Sequence, residues 1–246
     1  MPLADLSLTA DVPGACLLER PVMRPMEPRT VAALYVEPKG CYVGVPSVDP
    51  WDEARDARKY AGPYPAVAHP PCSRWSRLAK FCEARHGLKV GDDGGCFEAA
   101  LAAVRKWGGV IEHPAFTMAW ARYGLPRPDT KAEHWTPGIC GGFAAYVEQG
   151  RYGHPVKKAT WLYVYGVPLQ DLPELRWGHT PDNRGTIAKN QDWRGGMDKW
   201  RDNTGHRLAN ATPPAFRDLL LSIARKAHNV RGEAPSTAHA TLGETR

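Results

Sequence analysis

Two side chains in this sequence have the types and surroundings of reactive groups. Cys72 comes directly after Pro70 and Pro71, in a rigid turn that should expose the thiol near backbone amides. Such a position lowers the pKa of a thiol from about 8.5 and favours the nucleophilic thiolate. Glu112 ends another apolar segment, and a carboxyl group in a partly dry pocket can stay protonated near neutral pH. The pair suits nucleophilic catalysis assisted by an acid, although a buried core cysteine and a solvated glutamate are the plainer interpretations.

The surrounding elements predict that both residues lie at one edge of a sheet. The apolar runs 66–68 and 110–111 each end in a polar turn, and residues 97–107 between them have apolar side chains at helical spacing. Asp92 and Asp93 precede this helix and can cap it. If the two strands are parallel, they finish at the same edge, where open α/β sheets bind their ligands.

Other segments complete an α/β fold. Residues 31–36 form a short apolar run that suits a buried first strand. Residues 143–147 and 160–165 are rich in β-branched and aromatic side chains and predict a hairpin. Near the C-terminus, Thr212 should cap an amphipathic helix opened by Pro213.

The chain of 246 residues is long enough for one α/β domain with a small insertion. Residues 1–29 contain scattered prolines and predict an irregular N-terminal arm, and residues 30–166 and 212–229 form the α/β domain. Residues 167–211 lack a clean period and predict a loop-rich insertion, whereas the polar tail 230–246 is typical of disorder.

Composition narrows the class of partner and the compartment. The net charge of +6 favours an anionic partner such as nucleic acid, with a merely solubilising basic surface about equally compatible. The six cysteines form no CxxC pair, which favours a reducing cytoplasm over a disulfide scaffold. No apolar run approaches the roughly 20 residues that a membrane helix needs, so we expect a soluble cytoplasmic protein.

Three segments together resemble a known family. Residues 66–72 read AVAHPPC, residues 110–114 read VIEHP, and residues 153–160 read GHPVKKAT. In order and spacing these segments resemble motifs of the DNA cytosine-5 methyltransferases, and most closely the short phage and prophage variants with His-Pro-Pro-Cys and Glu-Asn-Pro. The resemblance covers residues 31–224. It implies a Rossmann-like class I methyltransferase sheet with helices on both faces, S-adenosylmethionine as the cofactor and DNA as the partner.

The resemblance also implies roles for single residues. Cys72 would attack C6 of cytosine, and Glu112 would hydrogen-bond N3 and the exocyclic amine. Lys157 or Lys158 would stand near the base and its phosphate. The cytosine would have to be flipped out of a duplex or arrive single-stranded. Residues close to the motifs or in the insertion would contact the substrate: Ser73, Arg74, Ser76, His113, His154, Thr160, Arg176 and Arg194.

The segment that would bind the cofactor departs from the family pattern. The family has a Gly-containing loop and a helix after the first strand, but here the segment leads to Asp49 too soon for a full helix. Asp49 or Asp52 would then bind the ribose, and Asp56 would face the adenine. All residues expected to bind the cofactor lie between the end of the first predicted strand and Cys72. They are Tyr35, Glu37, Asp49, Asp52, Asp56, His69 and Pro70.

Several other functions fit parts of the same pattern. A zinc-dependent base deaminase needs Pro-Cys-x-x-Cys, but Trp75 occupies the second cysteine position, and we therefore predict no metal. A structural zinc site from His69, Cys72, Cys82 and His86 has irregular ligand spacing. The short first loop is also compatible with a nucleic-acid or protein-binding module that has lost cofactor binding. The small insertion is compatible with an enzyme that acts on a free pyrimidine nucleotide.

Overall fold

The computed structural model describes residues 28–87, 89–180 and 211–228. Residues 1–27 of the expected N-terminal arm, residues 181–210 of the expected insertion and the whole expected C-terminal tail 230–246 lie outside the described residues, and so does Arg194.

One mixed sheet of seven strands forms the centre of the described structure, in the order β2-β1-β3-β4-β7-β6-β5. Strands β2, β1, β3 and β4 are parallel, whereas β7 is antiparallel to β4, β6 to β7, and β5 to β6. The expected α/β class, the parallel β3–β4 pair and the β6–β7 hairpin are confirmed. The strands are β1 (Val31–Leu34), β2 (Val48–Trp51), β3 (Ala66–Ala68), β4 (Gly109–Pro114), β5 (Thr136–Pro137), β6 (Phe143–Glu148) and β7 (Ala159–Tyr165).

Helices pack on both faces of this sheet. The helices are α1 (Arg77–His86), α2 (Cys96–Trp107), α3 (Met118–Arg122) and α4 (Pro214–Arg225). On one face, Phe216 and Leu220 of α4 pack against apolar residues such as Leu162 of β7. On the other face, residues of α2 and α3 pack in a second core with Ile111 of β4 and Trp161 of β7. Strands β1 (VAAL) and β3 (AVA) are apolar throughout because both of their faces are covered.

The connection from β1 to β2 contains no helix. Residues 35–47 form turns, and Val36 and Tyr42 are buried in the core on the α4 face. The expectation that this segment is too short for a helix is confirmed. Parallel neighbours usually need a crossover of a dozen or more residues, and this one uses its 13 residues without regular structure.

Helix α4 begins one residue later than the sequence predicted, and helix α1 begins only after a separate turn at Cys72. Helix α4 starts at Pro214 with Pro213 in the capping position, so the prediction that Thr212 caps it is wrong. A proline fits the first helical position because its missing N–H has no partner there in any case. Helix α1 starts at Arg77, five residues after Cys72, because residues 72–75 first form a turn closed by a hydrogen bond from the Trp75 N–H to the Cys72 carbonyl (2.9 Å).

In the described part of the chain, no helix combines the length and the apolar character that crossing a membrane requires.

Gly109 allows β4 to lie against β3, and its replacement provides a test of that pairing. Its φ is 130°, and a Cβ atom there would lie 1.9 Å from the Ala66 carbonyl oxygen. We expect Gly109→Ala to lower the free energy of unfolding by more than about 3 kcal/mol, measured by urea denaturation, because backbone must shift. The control is Gly124→Ala, at φ 62° with no described atom within 4 Å of the added Cβ, which should lower it by about 1 kcal/mol. Equal losses would contradict this account of β3–β4 pairing.

Candidate active site at the carboxyl edge of the sheet

The centre of the candidate site is the Glu112 carboxylate. Glu112 is buried, with only 7% of the residue exposed. Its Oε2 lies 3.0 Å from Nδ1 of His69, which follows β3. Its Oε1 accepts a hydrogen bond from the Gln149 side-chain amide at 2.8 Å and lies 3.4 Å from the Thr160 hydroxyl. Both carboxylate oxygens are therefore held by residues from other elements.

These neighbours keep Glu112 ionised. Burial raises the pKa of the carboxyl group, but the hydrogen bond from His69 and the positive charge of Lys158 outweigh burial and lower it to about 2. The sequence suggested a carboxyl group that stays protonated near neutral pH, and the structure reverses that expectation. The reason is that Lys158 and His69 act on the carboxylate, and the sequence predicted neither of them as a partner of Glu112.

Cys72 lies half-buried in the turn after β3, near Glu112 and Lys158. Burial raises the pKa of its thiol, the negative charge of Glu112 raises it further, and Lys158 lowers it. The thiol is thus protonated at rest, contrary to the expectation of a depressed pKa. The expectation relied on nearby backbone amides, but the N-terminus of α1, where such amides are unpaired, lies five residues further along the chain.

Lys158 is the cation of this cluster. Burial lowers the pKa of its ammonium group, whereas the carboxylates of Glu112 and Glu37, and the thiols of Cys72 and Cys41 when they ionise, raise it. Its Nζ also donates a hydrogen bond to the Ala211 carbonyl oxygen at 2.9 Å. A partly desolvated lysine near a thiol and a carboxylate can stabilise the thiolate when it forms.

Lys157 belongs to a different cluster, around Glu148 at the end of β6. The Glu148 side chain is fully buried and accepts hydrogen bonds or ion pairs from Lys157 (2.8 Å), Tyr146 (2.8 Å) and His179 (2.5 Å), and from the Thr180 N–H (2.7 Å). Although burial raises the pKa of Glu148, these donors lower it to about 2. The structure therefore brings Lys158, and not Lys157, to the Cys72–Glu112 cluster.

His69 has both ring nitrogens occupied. Nδ1 lies 3.0 Å from Glu112 Oε2, and Nε2 lies 2.8 Å from the Tyr42 hydroxyl. Within residues 28–87, 89–180 and 211–228, no group of three or more histidines, cysteines and acids is arranged to hold a metal ion.

Other residues expected to contact the substrate have varied surroundings. Ser73 and Ser76 lie on the Cys72 loop with Arg74, and these three side chains make no hydrogen bond or ion pair with the described residues. His113 lies on the opposite face from Glu112, with its ring 5.2 Å from that of Phe97 between centroids. Burial lowers its pKa to about 4, so the imidazole is neutral.

Two further residues expected to contact the substrate, His154 and Arg176, form hydrogen bonds with the backbone between β6 and β7. His154 is buried, and its Nδ1 accepts a hydrogen bond from the Val156 N–H at 3.2 Å. Arg176 donates to the Arg151 carbonyl oxygen at 2.8 Å and lies over the Tyr152 ring at 5.0 Å. Neither contact involves Cys72 or Glu112.

Asp49 and Asp52, which were expected at the ribose, and Asp56, which was expected at the adenine, differ in how far other side chains already bind them. Asp49 lies within β2 and is bound by Trp51 Nε1 (2.8 Å) and Arg55 (2.6 Å). Asp56 forms an ion pair with Arg58 at 2.7 Å. Asp52 follows β2 directly, and among the described residues only the Arg55 N–H donates to it, at Oδ1.

The remaining residues of the expected cofactor set surround the ends of β1 and β3. Tyr35 has a φ of 60°, and its hydroxyl donates to the Cys96 carbonyl oxygen at 2.9 Å. Glu37 is exposed, and Pro70 is buried beside His69. The ends of β1, β2 and β3 thus offer polar groups at the point where the strand order reverses, which is where open α/β sheets bind ligands.

The sequence analysis missed two residues of the site, Tyr42 and Gln149, and the centre of the neighbouring cluster, Glu148. Tyr42 lies in a turn-rich segment and Gln149 follows a strand, and no local pattern marks either of them. Glu148 had a detectable signal, because an acid at the end of the apolar strand FAAYVE must be compensated when that strand is buried.

Comparisons of the chain with protein-family models, with curated proteins and with solved structures found no match.

The charges around Cys72 predict how its reactivity depends on pH. Glu112→Gln removes a negative charge and should lower the pKa of the thiol, whereas Lys158→Gln removes a positive charge and should raise it. The measurement is the rate of alkylation by iodoacetamide against pH, followed on the Cys72 peptide by mass spectrometry. Cys140 is exposed and serves as the internal control, since its profile should not move. Unchanged profiles at Cys72 in both variants would refute the proposed electrostatic cluster.

Proposed function

We propose that this protein modifies cytosine in DNA through a covalent bond between Cys72 and C6 of the base, with S-adenosylmethionine as the methyl donor. The observation that supports this best is the meeting of the Cys72 thiol, the Glu112 carboxylate and the Lys158 ammonium group at one sheet edge. The motif resemblance gave the first two residues these roles, and a mixed sheet with helices on both faces suits the Rossmann-like methyltransferase fold that the resemblance implies.

The three groups suit the chemistry of addition to a pyrimidine. As the Cys72 Sγ–C6 bond forms, the thiol gives up its proton to solvent, and the Lys158 ammonium group stabilises the negative charge on the sulfur. The electrons of the C5–C6 double bond move through the ring, and N3 takes a proton from solvent, so that the net change is transfer of the thiol proton to N3. The product is a neutral enamine whose C5 is nucleophilic.

Glu112 stabilises this adduct more than it stabilises the free base. An ionised carboxylate accepts a hydrogen bond from the exocyclic amine of cytosine but faces a lone pair at N3. Once N3 carries its proton, the carboxylate accepts two charge-assisted hydrogen bonds. An interaction that strengthens during the reaction accelerates it, so the ionised state of Glu112 is compatible with catalysis.

The chain's own residues fit one part of the proposed cofactor. Asp52 lies at the carboxyl edge with an oxygen that no described residue binds, and this carboxylate would hold the ribose hydroxyls. Asp49 and Asp56 are less suited because arginine side chains already bind them. When bound, S-adenosylmethionine supplies an electrophilic methyl group for C5.

The net charge of the chain and the residues near the candidate site favour DNA as the substrate. The net charge of +6 attracts phosphate, and Arg74, two residues after Cys72 in the chain, has no ion-pair partner among the described residues. Phe116 presents a ring that is 37% exposed just after β4, in a left-handed conformation (φ 66°) that bulky residues rarely adopt. An exposed aromatic ring can stack on a base and help offset the few kcal/mol that flipping costs.

A second candidate function is a nucleic-acid-binding module without methyl transfer. The observation that favours it is the helix-free crossover 35–47, which gives the end of β1 no helix N-terminus for a ligand. Under this alternative the thiol could still add reversibly to a pyrimidine, but S-adenosylmethionine would not bind.

Two trapping bases separate these functions, and both test Cys72. A single-stranded oligonucleotide with pyrimidin-2-one should give a denaturation-resistant complex without cofactor, whereas one with 5-fluorocytosine should do so only with S-adenosylmethionine. Cys72→Ala should form neither complex, and the matched control Cys140→Ala, at an exposed thiol, should form both. Capture by Cys72→Ala would remove Cys72 from the mechanism. Capture of pyrimidin-2-one alone would support the second candidate.

The role of Glu112 can be tested by separating rate from affinity. Glu112→Gln keeps the size of the side chain but removes the charge, so we expect adduct formation with pyrimidin-2-one to slow by about 100-fold, within the range typical of acid–base groups. Binding of the oligonucleotide, measured by fluorescence anisotropy, should change little. A large loss of affinity with an unchanged rate would contradict this role.

A further inference from the structure

We propose that Tyr42 and His69 are positioning residues: Tyr42 donates its hydroxyl hydrogen to His69 Nε2, which fixes the His69 proton on Nδ1, and Nδ1–H in turn holds Oε2 of Glu112. This inference rests on the proposed function for the role of Glu112 and extends it to two residues that do not touch the reacting atoms.

The first link is the Tyr42 hydroxyl, which lies 2.8 Å from Nε2 of His69. Tyr42 is only 3% exposed, and burial holds the pKa of its phenol well above the ordinary value. The group therefore keeps its hydrogen. Among the described residues, His69 Nε2 is the only acceptor within hydrogen-bond distance of it, so the hydroxyl donates and Nε2 accepts.

The second link follows from the first because a neutral imidazole carries one proton. With Nε2 as an acceptor, that proton must be on Nδ1, which lies 3.0 Å from Glu112 Oε2. Because the carboxylate is ionised, it can only accept, so the direction of the hydrogen bond agrees at both ends. The backbone of His69 is fixed as well, since its N–H donates to the Leu34 carbonyl oxygen at 3.1 Å.

As a consequence, each oxygen of the Glu112 carboxylate has its own hydrogen-bond donor, and this fixes the plane of the carboxylate. His69 holds Oε2 while Gln149 holds Oε1 at 2.8 Å, and the remaining lone pairs can face a base. If the His69 proton moved to Nε2, the unprotonated Nδ1 would face Oε2, and two acceptors would repel each other. Outer groups that orient a reactive ligand commonly matter by 10–100-fold, here through the orientation of Glu112.

The titratable groups around these hydrogen bonds come from several elements. Cys41, and Arg217 and Asp218 of α4, lie near enough to influence Tyr42, while Lys158 and His113 influence Glu112. Arg217 is held by the Cys41 carbonyl oxygen (2.8 Å) and by Asp218 (2.7 Å). None of these groups lies between Tyr42 and His69 or between His69 and Glu112, which are in direct hydrogen-bond contact.

The kinetic test uses three variants and the pyrimidin-2-one oligonucleotide. Tyr42→Phe should slow adduct formation by about tenfold and His69→Leu by about 100-fold, with unchanged oligonucleotide affinity. His69→Asn should stay within about threefold of wild type, because its amide can donate from the position of Nδ1. In the His69→Asn background, Tyr42→Phe should have no further effect. A full effect of Tyr42→Phe in that background, or no rescue by asparagine, would overturn the proposal.

A spectroscopic test does not depend on any reaction. In protein labelled with ¹⁵N-histidine, the His69 signals, identified by their loss in His69→Asn, should show a protonated Nδ1 and an unprotonated Nε2 at neutral pH. Tyr42→Phe should shift them toward a mixture of tautomers. A wild-type ring protonated on Nε2, alone or together with Nδ1, would overturn this inference even if trapping succeeds. The expected tautomer together with failed trapping would instead count against the proposed function alone.

Discussion

The arrangement of this edge of the protein depends on one constraint: the Glu112 carboxylate is buried and ionised, and its charge must be compensated. Taking an unpaired carboxylate out of water is unfavourable by several kcal/mol. Here the compensation comes from His69 after β3, Gln149 after β6, and Lys158 just before β7. The same residues bring the β3 loop, and with it Cys72, toward the carboxylate. Satisfying the buried charge therefore also assembles the candidate site.

The crossover between β1 and β2 has two consequences for this site. Because it contains no helix, it leaves the end of β1 without a helix N-terminus, and cofactor binding would depend on groups such as Asp52. The same crossover inserts Tyr42 into the core on the α4 face, where its hydroxyl reaches His69. The segment that weakens the expected cofactor site thus contributes to the position of Glu112.

The sequence predicted the framework of the fold well, because the framework depends on local patterns. Apolar runs and helical spacing gave the parallel β3–β4 pair, helix α2 and the β6–β7 hairpin, and these placed Cys72 and Glu112 at one edge. The protonation states were predicted wrongly, since they depend on partners distant in sequence. His69 and Lys158 keep Glu112 ionised, and no local sequence pattern indicates that these two residues lie near it.

The central claim is that Cys72 and Glu112 reach the same pyrimidine ring from different sides. The most direct measurement is a crystal structure of the protein trapped on an oligonucleotide with a single pyrimidin-2-one. We expect a bond between Cys72 Sγ and C6, with a Glu112 oxygen within hydrogen-bond distance of N3. A base bound elsewhere, or a ring bonded to Cys72 with Glu112 turned away from N3, would contradict it.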